Sequence, residues 1–92
     1  MIQSFRCRDT EKLFKGISVK PFRAFEKVAR RKLAMLNAAT KLLDLKAPPN
    51  NKLEALKDDR EGEHSIRVNK KWRVCFVWTP NGPEGVEIVD YH

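Results

Sequence analysis

The chain closes on Ile88-Val89-Asp90-Tyr91-His92, with an acid, a phenol and an imidazole in consecutive positions. Imidazole titrates near neutrality, and negative neighbours favour its protonated form. Asp90 and the adjacent α-carboxylate would act on His92 in this way, which makes His92 a candidate acid–base group. Arg73 lies one strand earlier, and its guanidinium is suited to gripping two phosphate oxygens at once. Pairing Thr79 with Glu84 across the turn at Pro80-Asn81-Gly82-Pro83 sets Arg73 opposite Asp90, so the two share a face. That register predicts Arg73, Asp90 and His92 gathered at one end of a sheet, with Tyr91 on the other face or round the edge. A slip of one residue would reverse the faces. The plainer alternative is a surface ion pair beside a frayed terminus, worth about 0–1 kcal/mol.

Charge supplies the second hint. Residues 1–35 hold ten Lys/Arg against three acids, and the remaining residues balance, so the whole formal excess of +7 lies in the N-terminal part. Such asymmetry suits a polyanionic partner, nucleic acid before membrane. Phe22, Phe25, Ala29, Leu33 and Leu36 recur at three- and four-residue steps and predict an apolar helical stripe. Lys20, Arg23, Lys27, Arg30 and Arg31 mostly avoid it, which leaves a basic face turned outward.

These groups need a scaffold. The reading is a short strand near 2–7, a helix over 9–15 ended by Gly16, and a long helix entered at Pro21. A break near Asn37 and a second helical piece over 39–45 follow, stopped by Pro48-Pro49. A short extended piece is expected near 52–56. Three alternating segments then predict an antiparallel meander: "EHSIRVN", "WRVCFVWT" and "EGVEIVDYH". The N-terminal strand is expected to join that sheet, with helices on one face. The class is α+β in a single domain over 1–92.

The composition also excludes. No apolar run approaches the roughly 20 residues of a membrane span, and the opening residues lack a signal-peptide core. No membrane association is expected, and the expected compartment is the cytoplasm. Cys7 and Cys75 lack metal-ligand spacing, so no metal site and no cofactor are expected. Cys75, inside an apolar strand, reads as a small core residue. His64 reads as a strand residue at the core margin, and Trp72 and Trp78 as core or interface anchors.

The opening "MIQSF", the central "LKDDREG", the run "SIRVNKKWRVCFVW" and the final "DYH" resemble the HigB toxins of the RelE-like toxin–antitoxin superfamily. The resemblance covers nearly the whole chain. It implies a compact RelE-like fold and ribosome-dependent endonucleolytic cleavage of mRNA in the ribosomal A site. It also implies a HigA-like helix-turn-helix antitoxin as partner. Lys57 and Arg73 match the basic residues that face the scissile phosphate; Asp90, Tyr91 and His92 match the C-terminal active-site residues. One position departs. Where the family pattern reads K-L-H-P-L-K, this chain has Lys52-Leu53-Glu54-Ala55-Leu56-Lys57. A free Glu titrates near 4.3, and Lys52 and Lys57 should draw Glu54 lower, leaving it a weak base or a group that only orients Lys57. The residues alone favour a basic nucleic-acid-binding module; the resemblance favours the enzyme. A non-catalytic ribosome-binding protein, or a degenerate toxin acting through its antitoxin, stays open.

Overall fold

The computed structural model describes residues 1–90; Tyr91 and His92 lie outside the described residues. Helix α1 runs over Arg8–Phe14. Its acids Asp9 and Glu11 stand in the first turn, where the helix dipole favours negative charge. Gly16 ends it at φ +96. The amide of Ile17 reaches the Lys12 carbonyl at 2.9 Å and that of Gly16 the Leu13 carbonyl at 3.1 Å. This paired closure needs a left-handed residue after the cap.

The long helix does not begin as expected. Lys20–Phe25 forms a 3₁₀ helix, and α2 takes over at Glu26–Ala38. The aromatic rings give the reason. In a 3₁₀ turn, residues i and i+3 eclipse, so Phe22 and Phe25 both reach Trp72, at centroid distances of 5.7 and 5.2 Å. The helix also passes Asn37, whose side-chain carbonyl accepts the Ile2 amide at 2.9 Å. The second helical piece is again 3₁₀, over Leu42–Lys46. The Asp44 carboxylate caps it by accepting both the Thr40 and Lys41 amides at 3.0 Å. These bonds to the charged form pull its pKa down.

A four-stranded sheet follows in the order β1 (Glu54–Ala55), β2 (His64–Arg67), β3 (Trp72–Thr79), β4 (Gly82–Asp90), each pair antiparallel. The expected strand over 2–7 meets β4 in parallel through a bridge from Phe5 to Val86, where the Gln3 and Arg6 amides donate to the Pro83 and Val86 carbonyls and the Val86 amide to the Ser4 carbonyl at 2.8–3.1 Å. The fourth strand is the short piece expected near 52–56. Ile66, Val74, Phe76, Val86 and Ile88 face α2 and bury against Leu33, Leu36 and Ala29. Each fully buried leucine contributes about 1.5–3 kcal/mol. Among the described residues no helix is long and apolar enough to cross a membrane.

The hairpin register corrects the expected site. Thr79 pairs with Gly82, a tighter turn than the Thr79–Glu84 pairing, and this alone would keep Arg73 and Asp90 on one face. A bulge between Cys75 and Val77 adds one residue to the offset. Beyond it Arg73 opposes Val89, and Trp72 opposes Asp90. Since opposed residues share a face, Arg73 and Asp90 lie on opposite faces of the sheet.

Candidate active site

The face of the sheet turned away from α2 carries Glu54, Ser65, Cys75 and Glu87 as consecutive cross-strand partners, with Arg67, Arg73 and Val89 in the neighbouring row. Arg73 is held at two points. Its Nε donates to Ser65 Oγ at 2.7 Å, and one terminal nitrogen donates to the Lys52 carbonyl at 2.7 Å. That nitrogen also stands 3.8 Å from Glu54 Oε1. The side chain is only 14% exposed, while Glu54 is 55% exposed. A guanidinium fixed by two neutral acceptors keeps its remaining donors for a ligand, and it need not reorganise when charge develops.

Lys52 presents its carbonyl from a left-handed conformation, φ 46, which is strained for a residue with a Cβ. The loop before it forces this geometry. Asn51 is buried; its amide donates to the carbonyls of Leu45 and Ala47 at 3.1 and 3.3 Å, and its side-chain oxygen accepts Lys32 Nζ. Around Arg73 opens a shallow cleft of about 310 Å³ lined by Lys52, Glu54, Arg67, Asn69, Lys70 and Arg73. Four cations and one carboxylate give a positive concavity that suits a phosphodiester.

The structure thus joins Arg73 with Glu54 but spreads the other expected residues. Lys57 stands exposed at the head of the Asp58–Arg60 turn. Among the described residues no hydrogen bond or ion pair ties it to Arg73 or Glu54. Asp90 ends β4, with Lys71 Nζ 3.7 Å from its carboxylate. Tyr91 and His92 lie outside the described residues. On the helical side Lys20, Arg23, Lys27 and Arg31 are exposed as expected. Arg30 is half-buried: it donates to the Leu13 carbonyl at 3.2 Å and pairs with Glu26 at 3.6 Å, tying α2 to α1.

Arg67, Lys70 and the Lys52 carbonyl were missed in the sequence. A signal existed for Arg67. It stands two residues after Ser65, so strand alternation places both on one face. No residue-type pattern announces a main-chain carbonyl as the partner of an arginine. Cys75 is fully buried on the same face, and desolvation pushes its thiol up to about 11. It takes no part in the cleft. His64 stacks on Phe76 at 6.4 Å, and its Nδ1 is buried without a partner among the described residues.

Comparison with known proteins bears on this geometry. A family model described as HigB-like toxin, the RelE-like toxin of type II toxin–antitoxin system HigB, matches residues 5–92. The chain is 40% identical over 68 residues to "Toxin HigB-1" of Vibrio cholerae, covering 74% of this chain and 67% of that protein. It is 34% identical over 94 residues to "Endoribonuclease HigB" of Proteus vulgaris, covering the whole of both. An uncharacterized protein of Haemophilus influenzae is 42% identical over 55 residues, and the match spans 54% of its length.

Proposed function

The chain belongs to the HigB-like family of RelE-like toxins of type II toxin–antitoxin systems, and we propose that it is an endoribonuclease that cuts mRNA on the ribosome and so arrests translation and growth. Its partners are then the ribosome, the message and an antitoxin of the HigA helix-turn-helix kind, and its place of action is the cytoplasm. One observation carries the reading: Arg73 is preset between Ser65 and the Lys52 carbonyl, in a cleft with Arg67 and Lys70.

RNA brings its own nucleophile. The 2′-oxygen attacks the adjacent phosphorus, and the bond to the 5′-oxygen breaks. The products are a 2′,3′-cyclic phosphate and a 5′-hydroxyl. Arg73 binds the phosphate oxygens as negative charge grows on them. Glu54, 3.8 Å from Arg73, accepts the 2′ proton. His92 supplies the proton for the leaving oxygen, with Asp90 setting its charge. Lys57 adds positive potential from the rim, and Tyr91 stacks on a base or donates to phosphate. Lys20, Arg23 and Lys27 dock on ribosomal RNA through salt-sensitive phosphate contacts. Arg30 has its own partners and contributes less.

The position of Asp90, across the sheet from Arg73, favours a second reading, a basic ribosome-binding toxin that does not cut. Mapping mRNA ends on translating ribosomes separates the two. His92→Ala and Glu54→Gln should each lower cleavage about 10²–10⁴-fold while the proteins stay folded. Cleavage at the parent rate by both would remove the acid–base assignment. Absence of ends with the parent protein would leave the non-catalytic reading.

A further inference from the structure

A second concavity of about 380 Å³ adjoins the Arg73 cleft and shares Arg67 and Asn69 with it. Its other lining residues are Val28, Arg31, Lys32, Asn50 and Val68. Three cations from two elements therefore converge there: Arg31 and Lys32 from α2, and Arg67 from β2. Among the described residues no carboxylate lies within ion-pair distance of any of them. Lys32 is 4% exposed, and its one polar partner is the neutral Asn51 side chain.

We propose that this concavity is a second phosphate site, which takes a backbone phosphate of the same RNA strand next to the one gripped by Arg73. The inference rests on the endoribonuclease reading and deepens it. Buried cations are ordinarily paired or neutralised. Here burial and the like charge of Arg31 both pull the Lys32 pKa down, and an anion seated among the three cations would oppose that shift. Arg67 is oriented for the task by its Nε bond to the Asn69 carbonyl at 3.1 Å. It stands directly across β2–β3 from Arg73, so it bridges the two clefts. Asn50 and Asn69 add neutral polar groups to the lining. A strand crossing both clefts would be held on each side of Arg67. That fixes its direction and aligns one phosphodiester with Arg73.

The test uses the intact protein at low ionic strength with three probes: a 2′-O-methyl RNA trinucleotide, a nucleoside 5′-monophosphate and inorganic phosphate. Amide NMR shifts and affinity are followed in the parent, Arg31→Gln, Arg67→Gln and Arg73→Gln. Lys32 is left intact because it is buried. The trinucleotide should shift Asn50, Val68 and Asn69 together with Lys52 and Arg73, and bind about tenfold more tightly than the monophosphate. Arg31→Gln and Arg67→Gln should each abolish that gain and flatten the salt slope by about 0.7, the increment of one phosphate on a single strand. Arg73→Gln should spare the shifts at Asn50 and Val68. Inorganic phosphate bound as tightly as the trinucleotide would make this a site for the free ion and overturn the proposal. Unchanged trinucleotide binding in Arg31→Gln and Arg67→Gln, or no shift at Asn50 and Val68, would also overturn it. None of these probes is cut, so a failure here is distinct from a failure of the cleavage reading.

Discussion

The two ends of the outer sheet face treat charge in opposite ways. At one end Arg60 sits 3.1 Å from Glu63 and 3.0 Å from Glu87, and Arg6 adds a contact of 3.2 Å to Glu87. Those cations are matched by carboxylates, and Cys75 is sealed beneath them. At the other end Arg67, Arg73, Lys52 and Lys70 surround a cleft with Glu54 as its one acid. Matched charge closes a surface, whereas unmatched charge held in place by neutral acceptors keeps it open for an anion. We therefore place the proposed function at the positive end, with the neutral end as its support.

Removing Arg73 should have the largest effect. Arg73→Ala should lower mRNA cleavage on ribosomes about 10²–10³-fold, the usual loss when one preset charge donor is deleted, with the protein still folded although Ser65 Oγ and the Lys52 carbonyl lose their donor. Arg60→Ala should do the reverse. It leaves Arg6, 3.6 Å away, as the cation beside the nearly buried Glu63 and should cost about 1–3 kcal/mol in denaturant unfolding, while the folded fraction cuts as the parent does. Reversing Arg23 and Lys27 together should weaken ribosome sedimentation at low salt, and the deficit should shrink as salt rises. The smallest effect concerns Cys75. Its folded pKa, about 11, lies above the ordinary 9.0. The unfolded chain thus loses its proton first as pH rises, and stability falls between those values. Urea titrations across that window should show a shallower fall for Cys75→Ala than for the parent.

Much of this was legible in the residues. The three-and-four spacing of Phe22, Ala29, Leu33 and Leu36 announces the buried helix face, and the alternation in "WRVCFVWT" announces β3. Two features were not legible. The bulge sets two β4 residues, Gly85 and Val86, against Phe76, with Gly85 left-handed at φ 58; a glycine in a strand pattern does not fix where the extra residue falls, and this bulge alone carries Asp90 away from the face of Arg73. The fourth strand is Glu54–Ala55 rather than the N-terminal segment, because residues 3–6 meet β4 in parallel through a single bridge. The cluster of Arg73 with Glu54 depended on pairing of β1 to β2, which two-residue strands do not advertise. Arg30 looked like one more exposed cation, since its bond to the Leu13 carbonyl depends on how α1 packs against α2.

The most direct measurement is end mapping on ribosomes programmed with two versions of one message, all-ribose and with a single 2′-deoxy nucleotide at the cut position. New 5′-hydroxyl ends should form on the first and vanish at that position on the second, because the nucleophile is gone. Equal cleavage of both, or none of either, would contradict an Arg73-centred cut by the RNA's own 2′-oxygen.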